Sequence, residues 1–551
     1  MSWPWEIYAL DAAEKQARRR SLDRHAAYAQ LSVLAPIAAF VLYRLASWLA
    51  TRFSAPREAD YLAVPNSPAL KQRRRSVVGS WTAAARKVAW WLGDEVVFLG
   101  VNWGPRDQIL AGVGWTVWLV FLCVVGTGKD YLHLTKRFGM VALSQLPVQY
   151  LLALKSINPI AFALGSSHEQ VNRWHRVLGW VIYFLLFAHA CLYLNFYVHE
   201  GILAERLVRL VPALGLAGFI GMSFMNTTAL RVIRQYSYRI FFITHVMVAM
   251  LLPPAIFFHS HHGGRQYVVE ALLVFLIDLV KRKIDTITAP ATLETIPGTS
   301  LIKIVTNIPS KKVDRFRKYA GMHVYLSIPS AARRSASAAF LLFEFAFNPF
   351  TIASMDDESG DLTLVARRQK GPMTRTLAQY AEDGLTGIKV PLSIEGPYGC
   401  LAALARRSFY PSIGMIVNES AVARVQMVWA VRGAGDATWP VSGTAGGILD
   451  DENIHLFLTG DIFADPDVVA SSNNEDDAVE LSSNIHTGPG HSHGRPDLRK
   501  IIDDIFRQGV EDRVAVLVCG PEDMARELRS YVRFWVMKGR NVWWHNESFA
   551  W

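Results

Sequence analysis

Four histidines carry the first chemical signal in this chain. His175 and His189 lie in one apolar stretch and His245 and His259 in another, and 14 positions separate the members of each pair. Fourteen residues of α-helix advance ~21 Å and return to within ~40° of the starting face. Both imidazoles of a pair therefore look the same way, one near each leaflet of a bilayer. One further apolar stretch separates the two, so as membrane helices they run in the same direction. His175 is then level with His245, and His189 with His259. Two facing imidazole pairs stacked across a membrane meet the needs of two bis-histidine haems, because each iron takes one nitrogen from either side of the porphyrin plane. Any one of these histidines alone could be a packing residue, but the spacing is repeated, and ionisable groups inside membrane segments are rare without a function. His168, His199, His261 and His262 lie nearby at the membrane faces and read as solvated, with His261 the rival to His259.

The rest of the chain must hold those helices in a bilayer. With 51% hydrophobic and 19% charged residues over 551 positions, the composition excludes a single small binding module and points to a membrane protein with a soluble part. Seven segments are apolar enough to cross a ~30 Å hydrocarbon core as helices, near residues 26–50, 108–127, 137–157, 173–199, 207–226, 238–259 and 266–281. The third is interrupted by Ser144, Gln145, Pro147 and Gln149, which also fits a re-entrant segment. The stretch 77–103, with Trp90 and Trp91 beside Arg86, Lys87, Asp94 and Glu95, reads as an interfacial amphipathic helix.

The formal charge of +10 is placed as topology-setting charge beside the spans, in Lys71 to Arg75 and Lys281 to Lys283, so nucleic acid is not the expected partner. With seven crossings the loop 51–107, the group Arg231, Arg234 and Arg239, and the exit from the last span all fall on the cytosolic side. Lys15, Arg18, Arg19, Arg20 and Arg24 would then lie outside, against the rule. The N-terminal sequence has no signal peptide of the usual form. The four cysteines, Cys123, Cys191, Cys400 and Cys519, show neither disulfide nor zinc spacing, which fits a soluble part in a reducing compartment.

After Lys283 the texture changes to short β-branched runs such as LIKIVTNIP and MHVYLSIP. These read as a small antiparallel barrel over about 284–400. Beyond it strands (VQMVWAVR, IHLFLTG, VAVLVCG) alternate with a helical pattern, an α/β unit over 401–551. An acidic, weakly hydrophobic insertion at about 465–493 reads as disordered. The expected division is a tail (1–25), a first span with a cytosolic or interfacial segment (26–107), a haem-bearing transmembrane domain (108–283), the barrel, and the α/β domain.

At this point the sequence resembles the ferric reductase branch of the NADPH oxidase superfamily, in its fungal metalloreductase form, over roughly residues 100–551. In that family two such histidine pairs hold two b-type haems, and NRWHRVLGW, from Asn172 to Trp180, looks like the start of the first haem helix. NPFTIAS, from Asn348 to Ser354, is similar to the family's flavin motif. It implies FAD contacts from Pro349, Phe350, Thr351, Ile352 and Ser354, with Asn348 replacing the usual histidine. RRQKGPMTRTL, from Arg367, resembles the second flavin segment, with Gly371 and Thr374 by the pyrophosphate. EGPYG includes Gly396 and Pro397. VLVCGPEDM resembles the nicotinamide-side motif and implies roles for Cys519, Gly520 and Pro521, while the terminal SFAW, with Trp551, looks like the aromatic tail over the flavin. Arg432 and Arg495 resemble positions that meet the NADPH phosphates.

One departure concerns the glycine-rich phosphate loop expected after EGPYG. Only 25 residues separate Gly399 from Val425, and Gly414 is the only glycine among them. The loop, with part of the first βα unit, is expected to be missing. The resemblance implies cytosolic NADPH, FAD, two haems and an external acceptor, Fe(III) in a chelate with Cu(II) as a second substrate. It also implies a plasma-membrane setting with the C-terminal domain cytosolic, and an iron permease and oxidase system downstream. The alternatives are a superoxide-generating NADPH oxidase and a non-enzymatic or impaired haem protein.

Overall fold

The computed structural model describes residues 4–53, 77–260, 262–296, 299–317, 321–329, 332, 348–356, 358–369, 371–383, 389–399, 426–431, 453–459, 491–508 and 514–547. They fall into two compact units, Met1–Lys281 with Ser548–Trp551, and Arg282–Glu547.

The first unit is helical. Its α1 (Ala12–Leu31) opens on a reciprocal cap, in which Asp11 Oδ1 accepts from Glu14 N at 2.7 Å and Glu14 Oε2 accepts from Asp11 N at 2.9 Å. Leu22, Ala26 and Ala29 bury the inner face of α1, so residues 12–25, read as a tail, are helical. A turn at Ser32 and Val33 separates α1 from α2 (Leu34–Phe53), and the first apolar segment is thus two helices. Next come α3 (Val77–Leu92) and a hairpin of β1 (Glu95–Phe98) and β2 (Val101–Pro105). This corrects the reading of 77–103 as one helix. Leu99 and Gly100 both adopt positive φ, 52° and 74°, the backbone that a two-residue hairpin turn requires.

The helices that follow are α4 (Arg106–Val124), α5 (Tyr131–Ser144), α6 (Leu146–Ala153), α7 (Pro159–Leu164), α8 (His168–His199), α9 (Leu203–Leu207), α10 (Leu210–Thr228), α11 (Arg231–Tyr236), α12 (Tyr238–His259) and α13 (His262–Asp285). Ser167 caps α8 by accepting from Gln170 N at 3.3 Å, and Ser237 caps α12 by accepting from Ile240 N at 3.4 Å.

Among the described residues five helical segments are long and apolar enough to cross a membrane: Ala12–Ala46, Arg106–Val124, His168–His199, Leu210–Thr228 and Tyr238–His259. By this measure the expected seven become five. The third expected segment falls on α5 and α6, which are 14 and 8 residues long, and the seventh on α13, whose Arg265, Glu270 and Asp278 make it too polar to count. Several of their polar groups are internal and hydrogen-bonded, which lowers hydropathy without exposing them. Buried Arg137 donates to Leu122 O at 3.0 Å and to Ser21 Oγ at 2.8 Å. Buried Asp278 of α13 accepts from the backbone of Ser156 and Ile157, each at 2.9 Å.

The second unit opens with a closed barrel. Its elements are β3 (Ile287–Thr295), β4 (Leu301–Asn307), α14 (Ser310–Arg317), β5 (His323–Ser327), β6 (Asn348–Met355), β7 (Asp361–Arg367), α15 (Pro372–Asp383) and β8 (Val390–Tyr398). The strands close antiparallel in the order β3-β4-β7-β6-β5-β8. Alternation along β3 buries Ile287, Ala289, Ala291 and Leu293, the two-residue period of a strand with one face in a core.

A buried ion pair closes one end of the barrel. Arg282 Nε donates to Glu395 Oε1 at 2.8 Å, Arg282 Nη2 donates to Oε2 at 2.9 Å, and the Tyr398 hydroxyl donates to Oε1 at 2.9 Å. Glu395 is 2% exposed, so removing the guanidinium strands a buried carboxylate. Arg282→Ala is expected to destabilise the barrel by about 3 kcal/mol. An earlier thermal transition of the full chain in detergent would register this, and Arg282→Lys, which keeps the charge but not the fork, should recover part of the loss.

The remainder is parallel. Strands β9 (Met427–Val431), β10 (Ile454–Leu458) and β11 (His491–His493) form a three-stranded sheet in the order β11-β10-β9. After α16 (Leu498–Gln508), β12 (Val514–Cys519) and β13 (Val542–Glu547) pair in parallel through the crossover helix α17 (Glu522–Met537).

Candidate redox site

The helical unit brings the four histidines together in the pairs their spacing predicts. The ring centroids of His175 and His245 are 6.0 Å apart and those of His189 and His259 are 6.3 Å apart. With metal–nitrogen bonds of ~2.0 Å and ~1.1 Å from nitrogen to ring centre, two imidazoles on opposite sides of one ion have centroids about 6.2 Å apart. Both pairs therefore stand at the separation of a bis-imidazole site.

Hydrogen bonds on the other ring nitrogen fix three of the rings. Nδ1 of His175 meets Gln149 O at 2.9 Å, Nδ1 of His189 meets Thr135 O at 2.8 Å, and Nδ1 of His259 meets Val211 O at 2.8 Å. A carbonyl can only accept, so Nδ1 carries the proton and the Nε2 lone pair is left for a metal. In the fourth ring Nδ1 of His245 is buried without a partner among the described residues. Gln149 Nε2 also stands 3.4 Å from His175 Nε2, so of the two pairs that of His189 and His259 is the more open at Nε2.

Two glycines make room for these rings. A Cβ on Gly139 of α5 would fall 2.7 Å from Cε1 of His189, and one on Gly215 of α10 would collide with Cε1 of His259. Sequence reasoning passed over both, together with Thr135, Gln149 and Val211. The available signal was an isolated glycine inside a helical pattern, which usually has a packing reason.

At one end of the barrel the register assembles the second set of expected residues. Tyr325 on β5 faces Pro349 of β6 on one side and Glu395 of β8 on the other. The segments holding Pro349, Phe350 and Thr351 and holding Gly396 and Pro397 therefore flank one strand. Ile352 and Ser354 continue β6, whose antiparallel pairing with β7 sets its Asn348 end toward the Arg367 end of β7. Gly371 follows there, before the N-terminus of α15. The Thr374 hydroxyl holds this turn, accepting from Gln369 N at 3.1 Å. Gly396 has φ of 140° and Gly399 of 89°, backbone that disfavours side chains. Strand edges, small residues and a helix N-terminus at one end form a cradle suited to an anionic cofactor.

In the parallel part, Cys519 ends β12 opposite Glu547 of β13, and Gly520 and Pro521 lead into α17. The Cys519 thiol is at the surface, but partial desolvation by its strand end, and then the Glu547 carboxylate, raise its pKa. It is a thiol, not a thiolate, at neutral pH. Arg495 is exposed after β11. Cys519 and Arg495 thus each lie at the carboxyl end of a parallel strand, where ligands bind in such sheets. Arg432, Trp551, His261, residues 401–425 and residues 465–490 lie outside the described residues.

Three family profiles match the chain in succession. Residues 138–256 match "Ferric reductase like transmembrane component", residues 288–402 match "FAD-binding domain", and residues 403–533 match "Ferric reductase NAD binding domain". A probable metalloreductase (AIM14) of Candida dubliniensis is 23% identical over 58% of this chain and 60% of its own length. Its namesake in Scheffersomyces stipitis is 22% identical over 85% of this chain and 90% of its own length. Ferric reductase transmembrane component 3 of Saccharomyces cerevisiae is 21% identical over 72% of this chain and 58% of its own length. Among solved structures, a flavohemoglobin from Malassezia yamatoensis covers 74% of this chain and 96% of its own at 11% identity, with a TM-score of 0.27.

Proposed function

The chain belongs to the ferric reductase transmembrane component family, with FAD- and NAD-binding domains after its membrane part, and on that premise we propose that it is a transmembrane ferric-chelate reductase. It carries electrons from cytosolic NADPH to Fe(III), or Cu(II), outside. The observation that carries the reading is the pair of imidazole separations, 6.0 and 6.3 Å, in a helical unit of this family.

In this reading residues 108–283 form the haem domain, 284–400 the FAD barrel and 401–551 the nucleotide domain. His175 with His245 holds one b-type haem and His189 with His259 the other. Pro349, Phe350, Thr351, Ile352, Ser354, Gly371, Thr374, Gly396 and Pro397 would hold FAD. Cys519, Gly520 and Pro521 would serve the nicotinamide, Arg495 and Arg432 its phosphates, and Trp551 the flavin, as the resemblance implies. When bound, FAD divides a hydride's electron pair and the haems accept single electrons.

The chain's own part is positioning. The carbonyls of Gln149, Thr135 and Val211 hold their imidazoles as neutral donors on Nε2. Two histidines per iron leave no open coordination position, which favours outer-sphere transfer to a docked chelate. In this reading α5 with α6 and α13 also cross, as the seven-span expectation has it, and the basic clusters at 71–75 and 281–283 then favour a cytosolic soluble domain and an outer His189–His259 pair. The sparse glycine between Gly399 and Val425 favours a second reading, a relative impaired in the NADPH step.

The test is ferric-chelate reduction by cells carrying the chain, read with a ferrous-specific dye, beside flavin bleaching of the purified protein by NADPH and by dithionite. We expect dye formation insensitive to superoxide dismutase, and bleaching slower with NADPH than with dithionite. Loss of most of the colour to dismutase would make superoxide the product. Flavin that dithionite bleaches and NADPH does not would favour the impaired relative.

A further inference from the structure

Beyond His189 the same face of α8 continues with Tyr193 and Tyr197, at the four-residue spacing that stacks side chains along a helix. The His189 and Tyr193 rings are 5.0 Å apart and the Tyr193 and Tyr197 rings 5.6 Å apart. Neither phenolic hydroxyl has a hydrogen-bond partner among the described residues. The chain then turns through α9, where Arg206 lies close enough to the Tyr197 phenol to act on it electrostatically. Arg206 is half-buried with its Nε sealed from water and unpartnered, and it makes no ion pair among the described residues.

The acids around it are engaged elsewhere. Glu205 pairs with Arg209, and Glu200 with His199 at 3.2 Å. Arg18, the cation acting on Tyr193, is held by Asp130 at 3.0 Å. Ile202 N donates to Tyr197 O and Arg206 N to Ile202 O, each at 3.0 Å, which sets a half-buried guanidinium by the Tyr197 phenol, and donors of this kind favour an anion as acceptor.

We propose that Arg206, Tyr193 and Tyr197 form a binding site for a carboxylate at the His189–His259 end of the helical unit. The proposal rests on the reductase reading and narrows its acceptor to anionic, carboxylate-ligated chelates. The same chemistry also fits a propionate of the haem, and the experiment separates the two sources.

The probe is Ga(III) citrate, a redox-inert anionic stand-in, titrated calorimetrically into the purified full-length protein, with the haem spectrum and midpoint potentials recorded in parallel. Arg206→Gln is expected to weaken gallium citrate binding about tenfold, as loss of one charge-assisted contact does. Arg206→Lys should recover part of the affinity, and Tyr193→Phe with Tyr197→Phe should weaken it further. Unchanged haem potentials would assign the carboxylate to the chelate. Unchanged gallium binding with a shifted potential of one haem would assign it to the propionate. If Arg206→Gln changes neither, the site does not exist. A wild-type chain without haem would refute the reductase reading, while the gallium titration still reports on the pocket.

Discussion

His189→Ala is expected to remove one of two haems and to bring reduction of external ferric chelate to background. The variant leaves His259 facing a methyl group, so one iron keeps a single protein ligand where the separation of 6.3 Å provides for two. His175 and His245 are ~21 Å away along the helices and should be unaffected. The expected result is therefore a fall in haem per chain from about two to about one, with flavin bleaching by dithionite unchanged. His199→Ala is the control, since that ring is exposed and pairs with Glu200. An unaltered haem stoichiometry in the His189 variant would refute the ligand assignment.

The second large effect comes from a residue without a functional group. Gly215→Val places its Cβ where the His259 ring stands, against Cε1 and 2.7 Å from Nδ1. Either the imidazole turns out, losing the 2.8 Å bond to Val211 O, or α10 moves away from α12. Losing such a supporting partner typically weakens a metal site 10- to 100-fold. The outer haem should thus be lost on dilution although both of its histidines remain. Gly218→Ala, whose Cβ would meet only Leu252 Cδ1 at 3.4 Å, should retain it. Equal haem retention in the two variants would mean that the ring is not held where the geometry places it.

Much of this protein was legible because membrane helices and strands announce themselves by period. The 14-residue histidine spacing needs only helix geometry to put each pair on one face, and the level pairing needs only the parity of crossings. The barrel was equally plain in runs such as LIKIVTN, which pairs as β4 with β3 and β7. The number of spans was not legible, because the run 137–157 reads as one apolar segment but folds as the two short helices α5 and α6. In the seventh segment the polar Asp278 is buried, and its hydrogen bonds go to Ser156 and Ile157, a loop distant in sequence. The hairpin at 95–105 was hidden for another reason, because Leu99 in a positive-φ turn breaks the residue preferences from which turns are read.

The sequence by itself determined which residues are candidates for holding metal and flavin and the order in which they occur, since ligand chemistry and periodicity are local properties. The tertiary structure alone decided which surfaces meet. It set the imidazole separations, chose carbonyls on α5, α6 and α10 to orient three rings, and made Gly139 and Gly215 indispensable where helices close on those rings. It also left Arg206 by the Tyr197 phenol, without an ion-pair partner among the described residues. None of this is encoded in spacing along one helix, because it depends on the side chains that a second, distant segment brings within van der Waals contact.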